Sequence, residues 1–179
     1  VKTGCRTMSS GRTMAESSAC WFNGTTDDFC LRTTMECVFC REDGGDVLWQ
    51  DDTLRVVLAD EHDYPGFCRV IWNTHVAEFS DLAATDRDRV MQAVYAVERA
   101  MRRILQPVKV NLASLGNQVP HVHWHVIPRF SNDAHFPLPI WAPRQRTVSE
   151  AMLSSRRAQA TLLREAVRQE IEQVLAERP

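Results

Sequence analysis

The stretch His121-Val-His-Trp-His-Val-Ile-Pro-Arg129 decides the interpretation of this 179-residue chain. In an extended strand, successive side chains alternate between two faces. His121, His123 and His125 should therefore project from one side, and the intervening side chains from the other. Grouping three titratable rings costs solvation and adds repulsion whenever the rings are protonated. Because a sequence selected only for stability would place valine or threonine there, we predict that the imidazoles carry chemistry.

Apolar runs on both sides of this stretch predict an antiparallel sheet. Strands are predicted at residues 47–50, 54–59, 67–73, 108–114 and 121–127. Apolar residues at helical spacing predict an amphipathic helix over 86–105, with Thr85 as its N-cap. Thr147-Val-Ser-Glu150 matches a capping box that opens one final helix over 147–177. The predicted fold class is therefore α+β, an antiparallel sheet of about five strands with one central helix and a C-terminal helix.

A change of pattern near Met35 predicts the domain organisation. Residues 1–34 are rich in Ser, Thr, Gly and Arg and lack apolar periodicity, so we expect a disordered leader, with translation normally starting at Met35. Residues 35–145 are predicted to form one domain. Residues 146–179 are predicted to contain the C-terminal helix, packed on this domain or at a dimer interface, and both alternatives stay open.

Composition and charge indicate which classes of partner the chain is expected to bind. The chain is 44% hydrophobic, enough for a core without disulfides, and its formal charge of -2 gives no general attraction to nucleic acid. No apolar run approaches the roughly 20 residues that span a bilayer, and no secretory signal is recognisable. We therefore expect a cytoplasmic protein with thiol cysteines, a small-molecule substrate, and neither a nucleic-acid nor a membrane partner.

The histidine stretch resembles the signature of the histidine-triad (HIT) superfamily, in which three histidines alternate with apolar residues and Pro-Arg often follows. The preceding Leu115-Gly-Asn-Gln-Val-Pro120 is similar to the Gly-Gln-Ser/Thr-Val segment of that family, with Asn117 and Gln118 in place of the commoner residues. The resemblance covers residues 36–129. It implies a HIT domain over 35–145, of the bacterial type that carries a C-x-x-C pair.

What the resemblance implies is a nucleotide hydrolase or transferase that cleaves at the α-phosphate. Its substrate would be a nucleoside phosphoramidate, a dinucleoside polyphosphate such as diadenosine polyphosphate, or a similar conjugate. His123 would be the nucleophile that forms a nucleotidyl-histidine intermediate, and His125 an electrostatic or acid partner. His121 would orient a neighbouring ring or bind a metal, and the sequence leaves both roles open.

The loop before the triad and the arginine after it supply candidate phosphate contacts. Gln118 and the backbone amides of the Gly116 turn are candidate oxyanion donors, and Asn117 belongs to the same loop. Arg129 is a candidate phosphate partner, since a guanidinium can bind phosphate through two hydrogen bonds. An ordinary solvated loop is the alternative explanation for Gln118 and Arg129.

Glu36-Cys-Val-Phe-Cys40 resembles the C-x-x-C of a subset of the superfamily. In that subset, two cysteines, a histidine after a later strand and the first triad histidine bind structural zinc. The corresponding residues here are Cys37, Cys40, His75 and His121. Two thiolates and two imidazoles complete a closed tetrahedral site. The alternative is a pair of reduced thiols, and no organic cofactor is expected.

The family holds the ribose with an acidic or amide residue at the end of a strand. Asp60 is the best match, with Glu61 and Asp63 as alternatives. Phe67 and the pair Trp72-Asn73 depart from the family pattern, so no base is predicted. A homodimer is the common family assembly. The competing function is a nucleotide-binding, zinc-stabilised interaction module with little turnover.

Overall fold

The computed structural model describes residues 37–176, with side chains through residue 174, so the predicted leader at 1–34 lies outside the described residues. Within that range the chain forms five strands, four α-helices and a short 3-10 helix at Phe79–Asp81. In chain order the elements are α1 (Val38–Arg41), β1 (Asp46–Gln50), β2 (Leu54–Leu58), β3 (Cys68–Trp72), α2 (Ala84–Leu105), β4 (Lys109–Ala113), β5 (His123–Arg129), α3 (Glu150–Ala160) and α4 (Leu163–Ala176).

The five strands form one antiparallel sheet in the order β1-β2-β3-β5-β4. Strands β1 to β3 are consecutive neighbours, with a short turn at residues 51–53 between the first two and a longer loop at residues 59–67 between the second and third. Helix α2 then carries the chain to the far edge, and β5 returns between β3 and β4. This return places Arg69 of β3 opposite His125 and Ile71 opposite His123. The predicted α+β class is confirmed.

Helices α2 and α4 cover one face of the sheet. Val122 and Val126 lie in this main core, and Trp124 packs against it. Burying side chains of this size contributes roughly 1.5–3 kcal/mol each for the larger aliphatic residues, so the core fixes the register of β5 strongly. The histidines that alternate with these residues must therefore face the other side of the sheet.

The C-terminal region differs from the single helix predicted over 147–177. It forms α3 and α4, separated at Thr161 and Leu162. The hydroxyl of Thr161 donates to the carbonyl oxygen of Ala158 at 2.7 Å, a local bond that competes with regular helix geometry. The break leaves Leu162 exposed and buries Leu163 in the core. Helix α4 then packs on α2 and β1, so the apolar stripe is largely covered by the chain's own domain.

Both predicted helix starts also need correction. Helix α3 is capped by Ser149, whose hydroxyl accepts from the backbone N–H of Met152, rather than by Thr147. Helix α2 begins at Ala84, and its N-cap, Ala83, supplies no side-chain cap. No helix among residues 37–176 is both long enough and apolar enough to cross a membrane.

Candidate functional site

The three triad histidines lie on the sheet face opposite α2 and α4, and all three are buried. His123 and His125 belong to β5. His121 lies just before this strand, where the N–H of Val122 donates to the carbonyl of Val76 at 2.7 Å. The predicted imidazole face is thus confirmed, although the strand begins two residues later than predicted.

His123 has a defined tautomer because of a single hydrogen bond. Its Nδ1 lies 2.6 Å from the carbonyl oxygen of His121, so Nδ1 carries the proton and donates. The lone pair is then on Nε2. Burial, together with the charge of Arg69, lowers the pKa of His123 below its ordinary value. The ring is therefore a neutral imidazole at neutral pH, the form that can act as a nucleophile.

His125 lies beside His123, with 4.8 Å between ring centroids. Aromatic rings contact it on two further sides, Phe67 and Trp141, each at a centroid distance of 5.5 Å. Neither of its ring nitrogens has a hydrogen-bond partner among the described residues. Burial, then the neighbouring His123 and Arg69, lower the pKa of His125 to about 4. These two unpartnered buried nitrogens beside His123 are available to a ligand.

Arg69 is a site residue that the sequence analysis missed. Its Nη1 donates to the carbonyl oxygen of Gly44 at 2.8 Å, and its guanidinium carbon lies 5.2 Å from the centre of the Phe67 ring. Its Nη2 lies 3.8 Å from a carboxylate oxygen of Glu61. The residue projects onto the histidine face because β3 pairs with β5, and this pairing cannot be read from the sequence of β3 alone.

His121 belongs to a second cluster with Cys37, Cys40 and His75, whose ligand atoms all lie within 4.8 Å of one another. Nδ1 of His121 lies 3.4 Å from Sγ of Cys37 and 3.6 Å from Sγ of Cys40. Nδ1 of His75 lies 3.4 Å from Sγ of Cys40. The structure thus brings together the four residues that the resemblance implied.

These distances suit a tetrahedral metal site. Zn–S and Zn–N bonds of about 2.3 and 2.1 Å place sulfur and nitrogen ligands about 3.6 Å apart. Nε2 of His121 lies 2.5 Å from the carbonyl oxygen of Trp72 and donates to it, which turns Nδ1 toward the thiols, as an outer hydrogen bond does at metal sites. Burial and the adjacent Cys37 raise the pKa of Cys40 to about 11. A bound cation would reverse this shift by favouring the thiolates, so the cluster can hold a metal.

Arg55 holds the segment that carries the two cysteines against the sheet. Its guanidinium donates to the backbone carbonyls of Phe39 at 2.7 Å and Asp43 at 2.9 Å, and to the side chain of Asn73. Phe39 lies between the two cysteines in sequence, and its ring contacts the ring of His123 with 4.8 Å between centroids. The C-x-x-C segment is therefore linked to the triad by packing as well as by His121.

The loop before β5 lies next to His121. Gly116 and Asn117 line a pocket of about 390 Å³ together with His121, while the side chain of Gln118 is exposed. Asp60 lines a different pocket of about 470 Å³, whose walls come from β1, β2 and the α3–α4 junction and include no triad histidine. The structure thus brings the loop to the histidine cluster but places Asp60 in a separate pocket.

Arg129 is occupied by protein groups. It donates to both carboxylate oxygens of Asp133, at 2.8 and 3.1 Å, to Oδ1 of Asn111 at 2.7 Å, and to the carbonyl oxygen of Leu138 at 2.7 Å. Only 3% of the Arg129 side chain and none of the Asp133 side chain is exposed. The surroundings of Arg129 therefore indicate a structural role, in place of the phosphate contact considered from the sequence.

Comparison with known proteins gives consistent matches. Residues 41–132, which contain all five strands and the three histidines, match the family described as the HIT domain. Protein hit of Bacillus subtilis is 26% identical over 115 residues, 59% of this chain and 79% of that protein. A histidine triad protein from Bradyrhizobium japonicum aligns with a TM-score of 0.56 at 26% identity, covering 68% of this chain and 91% of that one. A Zn-bound histidine triad family protein from Mycobacterium smegmatis has a TM-score of 0.55 at 23% identity, covering 76% and 96%.

Proposed function

The chain belongs to the HIT domain family of nucleotide hydrolases and transferases, and we propose that it cleaves at the α-phosphate of a nucleotide conjugate through a nucleotidyl intermediate on His123. The conjugates we propose are nucleoside phosphoramidates and dinucleoside polyphosphates. One observation carries the proposal. The Nδ1 proton of His123 is held by the His121 carbonyl, so a lone pair remains on Nε2 beside the unpartnered nitrogens of His125.

In the first step, Nε2 of His123 attacks the α-phosphorus. A P–N bond forms, and the bond from phosphorus to the leaving oxygen or nitrogen breaks with its electron pair on that atom. His125 is neutral without substrate, but an adjacent anionic phosphate favours its protonated form. His125 can then give its proton to the leaving group.

In the second step, water or another acceptor attacks the same phosphorus. Its oxygen forms the new bond, the P–Nε2 bond breaks, and the electron pair returns to His123. His125 accepts the proton of the incoming water, which restores the starting state. The reaction is therefore ping-pong, with one product released before the acceptor reacts.

We also propose that the cluster of Cys37, Cys40, His75 and His121 holds structural zinc. Two thiolates and two imidazoles leave no open coordination position, so the metal would stabilise the fold and take no part in bond breaking. A Zn-bound relative from Mycobacterium smegmatis supports this choice of metal. When bound, the ion would fix His121, whose carbonyl oxygen sets the tautomer of His123.

For the nucleotide itself we propose contacts from the loop and from the end of β2. The amides of Gly116 and the side chains of Asn117 and Gln118 would meet the phosphate, and Asp60 would accept from the ribose hydroxyls. This role for Asp60 requires that the bound nucleoside extend toward the 470 Å³ pocket at the end of β2, which Asp60 lines. A homodimer, common in the family, stays a prediction.

The test is a comparison of the wild type with His123→Ala on a panel of phosphoramidates and dinucleoside polyphosphates of several bases. We expect turnover by the wild type, loss of turnover in the variant, and nucleotide affinity within about tenfold, since the ring acts mainly in the transition state. If the wild type releases no nucleoside monophosphate from any member of the panel, the chain is instead a nucleotide-binding module.

A further inference from the structure

The indole of Trp141 lies against His125 at the edge of the triad. The two ring planes are nearly perpendicular, at 89°, with 5.5 Å between centroids. Phe67 contacts His125 at the same centroid distance but is only 1% exposed, whereas Trp141 is 56% exposed. Trp141 therefore presents a large aromatic surface to solvent directly beside a buried histidine whose nitrogens have no protein partner.

The loop that carries Trp141 is tied to the body of the protein. Ile140, its neighbour, packs with Phe67 and Ile127 on the histidine face of the sheet. The N–H of Ala142 donates to the carbonyl of Pro139 at 3.0 Å, forming a turn around Trp141. These contacts hold the indole in place, so its position beside His125 is a property of the fold.

Two arginines, the buried Arg129 and the exposed Arg146, reinforce this attachment. Arg129, held by Asp133, donates to the carbonyl oxygen of Leu138 at 2.7 Å. Arg146 donates to the carbonyl oxygens of Asp133 and Phe136, each at 2.8 Å. Arg129, the candidate phosphate partner of the sequence analysis, thus helps to position the loop that carries Trp141.

We propose that Trp141 forms a leaving-group subsite that favours nucleotide conjugates whose leaving group carries an aromatic ring. The inference rests on the proposed function, in which His125 delivers its proton to the leaving atom. A group bonded to that atom departs past His125, where the exposed indole stands. A planar aromatic ring there can stack on or meet the edge of the indole, and such pairs gain more than their buried area alone provides.

The experiment uses two adenosine 5′-phosphoramidates of similar size, one made from 2-phenylethylamine and one from 2-cyclohexylethylamine. The ratio of their kcat/KM values is measured for the wild type, Trp141→Ala, Trp141→Phe and Tyr95→Ala. Tyr95 is an equally exposed aromatic residue on α2, at 52%, and serves as the matched control. Melting curves check that each variant is folded.

We expect the wild type to prefer the phenyl substrate by about threefold to tenfold. Trp141→Ala should remove this preference, Trp141→Phe should keep part of it, and Tyr95→Ala should leave it unchanged. The inference is overturned if Trp141→Ala slows both substrates equally or changes neither.

Failure of the proposed function gives a different result. A wild type that hydrolyses neither substrate contradicts the enzyme, but it leaves the subsite testable, because both intact conjugates can then be titrated by calorimetry. The same threefold to tenfold preference should appear in the two Kd values of the wild type and vanish in Trp141→Ala. Equal Kd values in the wild type would overturn the subsite.

Discussion

His123 is buried against Phe39 and His125, and its Nδ1 proton is committed to the carbonyl oxygen of His121. Burial disfavours the imidazolium, and the charge of Arg69 adds to that effect. His123 therefore needs no separate base to remove a proton before it can act in the proposed reaction. Burial and the charge of Arg69 keep the ring neutral, and the hydrogen bond at Nδ1 leaves the lone pair on Nε2.

The lowered pKa values predict the pH dependence of the proposed reaction. The acid limb of kcat/KM, which reports the free enzyme, should have its midpoint below 6.5, because His123 stays neutral below the ordinary imidazole pKa. A dinucleoside polyphosphate is a suitable substrate, since its phosphates stay ionised over this range. Zinc content is measured at each pH to exclude metal loss. A midpoint at or above 6.5 would contradict the assignment.

The buried pair of Arg129 and Asp133 predicts a large effect on stability. Burial alone would raise the pKa of Asp133, but hydrogen bonds from Arg129 and from backbone N–H groups lower it, so the carboxylate is charged. Arg129→Met leaves that charge without its partner and should cost about 3–5 kcal/mol of unfolding free energy in urea.

Arg168→Met is the matched control for this variant, because Arg168 pairs with Glu165 and Glu172 on the surface. Its urea midpoint should stay close to that of the wild type. Equal stability of the Arg129 and Arg168 variants would show that the buried pair of Arg129 and Asp133 does not stabilise the loop after β5.

At the scale of the residue, the period-two pattern alone predicted which side chains share a face, because the apolar residues between the histidines must enter the core. It could not predict that Arg129 is occupied. That outcome depends on Asp133, on Asn111 from another strand and on the carbonyl of Leu138, which meet only after the loop has folded.

At the scale of the element, α1 is too short to be stable by itself and depends on what fixes its ends. Arg55 binds the carbonyls of this segment, and the four-residue cluster supplies sites for a metal. If the proposed zinc is removed with a chelator, the Tm of the wild type should therefore fall by on the order of 10 °C. Cys37→Ser should show a similarly lowered Tm before any chelator is added.

Cys68→Ala is the control for the chelation experiment. Cys68 is buried in the main core, where its thiol donates to the carbonyl of Gly66, so the variant loses stability while keeping the metal cluster. Its chelator-dependent shift in Tm should equal that of the wild type. Protein purified without chelator that contains less than about a tenth of an equivalent of zinc would contradict the metal site.

The turn before β3 depends on Gly66. Its φ is +92°, and a Cβ there would lie 2.4 Å from Cδ1 of Leu105 and 3.3 Å from Cδ1 of Leu163. Gly66→Ala should therefore lower the unfolding free energy by about 1–3 kcal/mol in urea titrations. At Gly116 the nearest atom beyond the chain neighbours, the carbonyl oxygen of Val119, would be 3.8 Å away, so Gly116→Ala should change stability by less than about 0.5 kcal/mol. Equal effects would contradict this account of the turn.

Elements with strong periodicity could be predicted from the sequence, whereas their ends could not. Helix α2 was predicted within two residues of its start because its apolar stripe is regular. The division between α3 and α4 was missed, since helical spacing continues through Thr161 while the core requires Leu163 to point inward. Tertiary packing overrode local propensity at that point.

At the scale of the whole molecule, the return of β5 between β3 and β4 creates the site. This strand order places the histidines beside Arg69 on one face of the sheet, and Trp141, in the loop after β5, contacts His125. The sequence predicted the histidine face from its period-two spacing and the metal ligands through a family resemblance, but Arg69, Arg55 and Trp141 carry no recognisable local pattern. Their roles depend on sheet order and on a loop with three prolines, neither of which has a periodic signal.

The most direct test of the account is the trapping of the covalent intermediate. Protein mixed with a nucleoside phosphoramidate is quenched within one turnover in alkali, which preserves P–N bonds, and its peptides are analysed by mass spectrometry. We predict a nucleoside monophosphate attached to His123, with no adduct in His123→Ala. Turnover without an adduct on His123, or an adduct on another residue that persists in the variant, would contradict the central claim.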